Sequence, residues 1–481
     1  MIKQISSEIA APLATIFNKS IAYGQFPDKL KIAKICPIYK SDDKLLVNNY
    51  RPISILPCFS KILERLMYNR LLNYLNVNNI LTLNQYGFRE KHSTFMALLK
   101  LVDDISNELN NKVYSIGIFI DLSKAFDTID HKLLLKKLYH YGIRGLALDW
   151  LTSYLNNRTQ YVNIDDTTSK LLNITCGVPQ GSILGPLLFI IYINDIVNSS
   201  QLATFILFAD DTNLFFKHKD LHNLYSIINA ELDKISTWFK LNRLSLNIKK
   251  TNYILFNVGK NKVNTTNMNI SIDGIKIDQV NHTKFLGVII NSRLDWNDHI
   301  KTLCNKISKN TGILYRTRKN LNSVTLLLLY QTLIQPYLDY CNIIWSVGES
   351  QSLHKLFIKQ KKAIRAITFS KWDAHTSPIF KKLRILKLHE INTFQTCCFV
   401  FKSLHNLLPV KFHKLFLRNQ DIHDHDTRKK QNIHVISHRI NVRAQSIRIH
   451  GQKVWNALPI NIRDSPTFPI FKNHCKKYIL N

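Results

Sequence analysis

Apolar positions recur at helical spacing in three stretches, 59–76 ("FSKILERLMYNRLLNYLN"), 132–155 and 221–243, and each predicts an amphipathic helix. Between them lie short runs rich in β-branched and aromatic residues. These are "VYSIGIFIDL" (113–122), "TQYVNI" (159–164), "ATFILFA" (203–209), "TNLFFK" (212–217), "NYILF" (252–256) and "KFLGVII" (284–290), all read as strands. The opening residues, "MIKQISSEIAAPLATIFNKSIAYGQFP", read as a helix ending near Gly24 and Pro27, not as an address label. From about 297 onward the strand signal fades and helical patterns dominate. Helices interleaved with a few strands, several separated by tight turns, predict an α+β core with an antiparallel sheet. The longest apolar run, "SVTLLLLYQTLIQPYLDYCNIIW" (323–345), is interrupted by Gln331, Gln335, Pro336 and Asp339. It reads as a buried helix and a turn, short of the roughly 20 apolar residues of a membrane span. No repeat of 20–50 residues is present, which excludes solenoids and propellers.

Composition sharpens this picture. A chain of 481 residues is expected to form two or three domains, and 45% hydrophobic residues suffice for a proper core. Sixty-five Lys and Arg against 33 Asp and Glu give a net charge of +32, beyond what solubility needs, and favour a polyanionic partner, nucleic acid first. Residues 351–481 hold 25 Lys and Arg against 6 Asp and Glu, and 11 of the 18 histidines, which predicts a helical, nucleic-acid-facing region. Eight dispersed cysteines without a CxxC pair indicate neither a disulfide framework nor a zinc finger, and point to a reducing, intracellular setting. In the tail, His423, His425, His434 and His438 lack paired cysteines at finger spacing, and His474 and Cys475 stand alone. A solvated basic surface is the expectation there.

The candidate chemistry begins at "ATFILFADDTNLFF" (203–216), where two β-type runs are joined by Asp210 and Asp211, the length of a two-residue hairpin loop. Taken alone, an ordinary surface turn is as good a reading as any. Asp121 changes the balance, because it ends a run too apolar to be a solvated edge. Like charges half-buried together repel and raise one another's pKa unless a cation compensates them. Carboxylates at the ends of neighbouring strands could jointly hold Mg²⁺, which takes oxygen ligands. Two such ions about 3.5–4 Å apart serve phosphoryl transfer by activating a hydroxyl and stabilising a departing oxygen. The segment "CGVPQGSILGPLLFIIYINDI" (176–196) adds a polar loop opening into an apolar helix, with glycines for close backbone approach and Gln180 as its one amide side chain.

The order of these pieces resembles the reverse transcriptases of non-LTR (LINE-type) retrotransposons of the jockey-like kind. The motifs are "ICPIYKSDDKLLVNNYRPISILP" (35–57), "NQYGFREKHST" (84–94), "FIDLSKAFDTIDH" (119–131), "GVPQGSILGPLLFIIYINDI", "FADD", "LSLNIKKTNYILF" (244–256), "HTKFLGVIINSRLDW" (282–296) and "VWNALPINIRDSPTFPIFKNHCKKYI" (454–479). The resemblance covers essentially the whole chain. It implies a right-hand polymerase fold, with fingers and palm in 1–296, a helical thumb-like region in 297–400 and a basic, mainly helical C-terminal extension in 401–481.

By the same resemblance Asp121, Asp210 and Asp211 are the catalytic carboxylates, with Asp121, Asp210 and the backbone carbonyl of Leu122 as principal ligands of two Mg²⁺ ions, or Mn²⁺, and Asp211 the more dispensable. Phe126 matches the bulky residue that crowds a ribose 2′-hydroxyl, although its setting in "KAFDTIDHKLLLKKL" would equally suit a core aromatic. Gln180 and Gly181 match nucleotide and template contacts, Arg51 and Lys40 triphosphate contacts, and Lys250 a lysine near the leaving pyrophosphate, with Lys249 an adjacent competitor. Phe285, Leu286 and Gly287 resemble the hairpin that grips the primer end. Asp127, Asp130 and Asp195 read as structural. The implied partners are an RNA template, a DNA primer, their hybrid and dNTPs, with no membrane, and the implied work is nuclear and cytoplasmic. An inactive remnant that only binds RNA, or an RNA-dependent RNA polymerase, are the rival readings; Phe126 argues against the latter. Jockey-like elements usually carry a nuclease domain before the polymerase, and only about a hundred residues stand before Asp121 here, so the expectation is either a truncated copy or a nuclease in sequence beyond this chain, and target-site nicking is not assigned to this chain.

Overall fold

In a computed structural model, which describes residues 4–40, 42–257, 268–422 and 429–481, the molecule is built on two five-stranded sheets, accompanied by three two-stranded ones. The main sheet has five strands in the order Asp278–Gln279, Asn252–Phe256, Tyr114–Ile120, Asp211–His218, Thr204–Phe208. All neighbours in it are antiparallel except the outermost pair, Asn252–Phe256 with Asp278–Gln279.

Successive residues of these strands enter different cores. Ile116, Ile118, Ile120, Leu214 and Phe216 face one side, with the helices Cys58–Val77, Leu184–Tyr192 and Leu221–Leu241, whereas Phe119, Phe215, Ile254 and Phe256 face the other, with the helix Thr94–Asn110 and the helices beyond 297. A sheet covered on both faces requires apolar residues at both phases of the pleat. That is why "YSIGIFI" is nearly unbroken in its hydrophobicity.

The second sheet carries Tyr50–Ile55, Ile32–Tyr39, Arg158–Ile164 and Thr167–Thr168, with Leu172–Ile174 also paired to Arg158–Ile164. The segment before Asp121 thus contains a strand pair that periodicity did not indicate: Pro37 and Pro52 lie opposite each other and lower the β signal of both strands. The helix Thr94–Asn110 was not expected either, although it packs against the back of the main sheet.

Other elements depart from expectation for local reasons. The stretch 132–155 is two helices, His131–His140 and Leu146–Leu155, because Gly142 and Gly145 both take positive φ between them. "KFLGVII" is a hairpin, His282–Phe285 with Val288–Asn291, turned by Leu286 (φ 44°) and Gly287 (φ 82°). The stretch 323–345 forms three short helices, Ser323–Leu333, Gln335–Asp339 and Asn342–Trp345.

After Asn291 the described chain has no further strand, and helices take over as expected. The boundary expected at 400 falls inside the helix Leu388–Leu404, which packs on Ile447–Asn456 and Phe468–Leu480. The basic C-terminal region is also fastened to the polymerase-like body by a buried ion cluster. The Asp103 carboxylate, on the helix Thr94–Asn110, accepts from Arg443 Nη1 at 2.7 Å and from Arg448 Nε at 2.6 Å. Arg443 also donates to Ser106 Oγ at 3.0 Å. Of the tail histidines, His434 and His438 are described, while His423 and His425 lie outside the described residues. Among the described residues no helix is long and apolar enough to cross a membrane.

Candidate active site

The three aspartates lie together at one end of the main sheet. Strand Tyr114–Ile120 pairs with Asp211–His218 so that Ile120 lies opposite Thr212. Asp121 follows directly on Ile120 and Asp211 directly precedes Thr212, so both emerge at this end of the sheet, and Asp121 acts electrostatically on Asp210 and Asp211. The hairpin turn is shifted by one residue from the expected one. Phe208 pairs with Asp211, so the loop is Ala209–Asp210, Ala209 takes φ 54°, and Asp211 already belongs to its strand.

Burial, and mutual repulsion after it, disfavours the charged forms of Asp210 and Asp211. Burial first, then the charges of Asp210 and Asp121, raise Asp211 from the usual 3.8 to about 6, against the pull of Lys40; its side chain nonetheless reaches solvent. Asp210 is raised in the same direction, chiefly by burial and further by Asp121, while Lys40 and Arg51 counteract.

Asp121 is held by a turn from another part of the chain. Asn247 N–H donates to the Asp121 carbonyl at 2.9 Å and Asn247 Nδ2 to Asp121 Oδ2 at 3.0 Å. The short strand Leu122–Ser123 pairs with Ser245–Leu246 beside it. Sequence reasoning quoted the motif containing Asn247 but gave that residue no role. Lys250 lies on the same turn, its N–H donating to the Asn247 carbonyl at 3.1 Å, and both Lys250 and Lys249 are exposed.

Opposite the aspartates, Lys40 and Arg51 project from the hairpin of the second sheet, where Ile38 pairs with Arg51 and Lys40 N–H bonds the Asn49 carbonyl. Both are exposed, and both act electrostatically on Asp210.

The loop 176–182 packs between the backbone at Asp127 and the second sheet at Ser54. Gly177 (φ 82°) lies so close to Asp127 that a Cβ would meet its backbone at 2.7 Å, and Gly181 (φ 133°) would meet the Ser54 carbonyl at 2.4 Å. The Gln180 carbonyl accepts from Ser54 N–H at 2.7 Å. Gln180 Nε2 donates to both oxygens of Asp127, at 2.9 and 3.0 Å. A carboxylate can only accept, so this pairing fixes the Gln180 amide with its oxygen turned away from Asp127. Asp127 supports Gln180, and burial raises its own carboxyl above the usual range.

Beneath the loop, Glu64 is wholly buried and accepts from Ile183 N–H at 2.7 Å and Leu184 N–H at 3.2 Å, capping the helix Leu184–Tyr192. An acid inside "FSKILERL" carries no such signal in sequence, because its partners are about 120 positions away.

Phe126 is half-buried. It stacks on Phe189 at 4.4 Å between ring centroids and meets Phe88 edge-on at 6.2 Å, so it is braced by the core while part of its ring stays accessible. Asp130 caps the helix His131–His140 through Leu133 N–H and pairs with Arg243, and Asp195 pairs with Lys137 at 2.6 Å. Of the "KFLG" residues, Phe285 lies in the core against Phe119 at 5.4 Å, while Leu286 and Gly287 form a turn covered by Tyr340, whose hydroxyl donates to the Leu286 carbonyl at 2.7 Å.

The donor set suits a hard divalent cation: carboxylate oxygens whose charges repel each other and are only partly offset by Lys40 and Arg51. Among the described residues no group of three or more His, Cys, Asp or Glu side chains is gathered closely enough to hold a metal ion, so the aspartates supply the charge but not an assembled ligand set.

Residues 38–290 match the family described as reverse transcriptase (RNA-dependent DNA polymerase). The chain is 30% identical over 390 residues to an RNA-directed DNA polymerase from mobile element jockey of Drosophila melanogaster, covering 78% of this chain and 42% of that protein. It is 28% identical over 407 residues to a probable RNA-directed DNA polymerase from transposon X-element of the same organism, covering 81% and 44%. The chain thus spans less than half the length of these relatives. Among solved structures, an apo telomerase from Candida Tropicalis is similar at a TM-score of 0.43 and 14% identity, over 81% of this chain and 66% of that one.

Proposed function

The chain belongs to the reverse transcriptase (RNA-dependent DNA polymerase) family, and we propose that it extends a DNA primer on an RNA template by adding dNTPs, as part of a non-LTR retrotransposon. The observation that carries this reading is the juxtaposition of Asp121 with Asp210 and Asp211 at one sheet end, within electrostatic reach of Lys40 and Arg51. In the proposed scheme Asp121, Asp210 and the Leu122 carbonyl hold two Mg²⁺ ions, or Mn²⁺, with Asp211 assisting. When bound, these ions lower the pKa of an attacking hydroxyl and neutralise charge on a leaving oxygen.

The residues of the chain do the rest. Arg51 and Lys40 bind the triphosphate, the guanidinium fork matching phosphate oxygens and the ammonium adding a point charge. Gln180, oriented by Asp127, offers its amide oxygen to the nucleotide or template, and Gly181 leaves room for close approach. Phe126, braced by Phe88 and Phe189, excludes a ribose 2′-hydroxyl. Lys250 lies toward the departing pyrophosphate, and the turn at Leu286 and Gly287 toward the primer end, with Phe285 anchoring it from within. Residues 1–296 act as fingers and palm, 297–400 as the thumb, and the basic 401–481 as an extension that follows the hybrid backbone by charge and shape. The setting in which this work is proposed is the nucleus and cytoplasm.

The test is primer extension on an RNA template with Mg²⁺, comparing the native chain with Asp210→Asn. Extension by the native chain, abolished in the variant, is the expected result. A native chain that binds RNA and extends nothing overturns the proposal in favour of an RNA-binding remnant. Equal use of NTPs and dNTPs by the native chain would point to RNA synthesis instead.

A further inference from the structure

The segment 84–88, "NQYGF", runs alongside the outer strand of the hairpin that carries Asp210. Leu207 N–H donates to the Asn84 carbonyl at 3.0 Å, Tyr86 N–H donates to the Leu207 carbonyl at 2.8 Å, and Gln85 and Leu207 form a parallel bridge. Gln85 is 1% exposed. Its Oε1 accepts from two backbone donors, Gly87 N–H at 2.7 Å and Ala209 N–H at 3.0 Å.

Ala209 is the residue before Asp210 and holds φ 54° without being glycine. L-residues disfavour that region, so the turn needs outside contacts to keep it there. Gly87 leaves the space for this clamp: a Cβ on it would come within 2.4 Å of the Ala209 nitrogen. The other end of the Gln85 amide, Nε2, is buried without a hydrogen-bond partner. A buried amide that leaves its donor unsatisfied while its acceptor takes two bonds is held for the acceptor.

We propose that Gln85 is a positioning residue for catalysis. Its amide oxygen fixes the Ala209–Asp210 turn and thereby the direction in which the Asp210 carboxylate faces Asp121. This rests on the reading of Asp210 as a catalytic carboxylate. Gln85 touches neither substrate nor cation; it acts through the Ala209 N–H.

The test compares Gln85→Met, which matches the side chain in reach but has no oxygen acceptor, with Gln85→Glu, which retains one and which burial holds in the neutral acid form. In primer extension, Gln85→Met is expected to lower kcat at least tenfold and to raise the Mg²⁺ concentration for half-maximal rate, with the dNTP KM within about twofold of native. Gln85→Glu is expected to restore kcat to within about threefold. Native kcat and Mg²⁺ requirement in a folded Gln85→Met protein overturn the proposal, and so does a Gln85→Glu protein as impaired as Gln85→Met.

Hydrogen exchange of the native chain supplies a readout that needs no variant. The Ala209 amide is expected to exchange with the slow amides of its strands, and exchange at the rate of an open turn overturns the clamp even if Gln85→Met fails to fold. A native chain that extends no primer, while its Ala209 amide is slow, counts against the polymerase reading and not against the clamp.

Discussion

Replacing Glu64 by alanine should destabilise the fold and misplace the loop that carries Gln180. The Glu64 carboxylate is fully buried, accepts two backbone N–H groups at the start of the helix Leu184–Tyr192, and receives Ser60 Oγ at 3.0 Å. On truncation the Ser60 hydroxyl can turn to a carbonyl of its own helix, but Ile183 and Leu184 lose their acceptor. Each buried donor left without one costs ~1–3 kcal/mol. Loss of a capping side chain costs ~0.5–2 kcal/mol, part of the same quantity counted from the helix side. Allowing for the overlap and for the small void left behind, the expected loss is about 3–5 kcal/mol. Glu64→Gln keeps an oxygen in place and loses only the charge assistance, which costs about 1–2 kcal/mol. Urea unfolding followed by tryptophan fluorescence gives both values, and single-nucleotide extension reports the consequence at Gln180. A loss below about 1 kcal/mol in Glu64→Ala, or equal losses in the two variants, refutes the capping account.

Three further outcomes follow from the candidate site. Phe126→Ala should raise ribonucleotide use relative to deoxyribonucleotide use by roughly tenfold, a discrimination of ~1.4 kcal/mol, in competing single-nucleotide extensions; unchanged sugar selectivity removes Phe126 from that role. Asp127→Ala frees the Gln180 amide to rotate, and the dNTP KM should rise by roughly 5–20-fold at near-constant kcat, the mark of lost uniform binding; an unchanged KM in steady-state extension contradicts it. Asp211 has a folded pKa of about 6 against 3.8 unfolded. The folded chain therefore binds more protons, and this group's contribution to stability declines as pH rises from 3.8 through 6. Mg²⁺ competes with that proton, so the rise in melting temperature on adding Mg²⁺ should be larger at pH 7.5 than at pH 5.5, and Asp211→Asn should flatten the difference. Equal rises at the two pH values in the native chain would sink this reading.

Phe126 was marked by the resemblance alone, whereas the aspartates, Gly177 and Gly181 were legible in the sequence as departures from local expectation, charges next to apolar strands and two glycines before an apolar helix. The residues that hold them were not. Glu64, Asn247, Asp127 and Gln85 are ordinary polar residues locally, and their partners lie between 53 and 126 positions away along the chain. Only the fold brings them together. Periodicity likewise found Cys58–Val77 and Leu221–Leu241, whereas Thr94–Asn110 was left unread although its apolar residues recur at helical spacing as well. That helix buries residues on most of its circumference, including Asp103, Ser106 and Glu108, so its polar positions mark buried contacts and not a wet face. The hairpin turn was misplaced by one residue because Asp is a common turn residue, whereas the left-handed position fell on Ala209, a residue that gives no turn signal.

The grip of Arg443 and Arg448 on Asp103 limits how the chain can be divided. A carboxylate on the helix behind the main sheet is neutralised by side chains more than 330 positions later. A chain shortened before residue 443 would lose both guanidinium partners of Asp103 and, with them, the helix Ile447–Asn456 that packs on this side of Thr94–Asn110, so the carboxylate and the apolar face around it would be opened to water. The basic tail is therefore built into the body and is not an appendage to it: the two sides of this cluster work like the halves of one clasp, and a cut anywhere between them opens it.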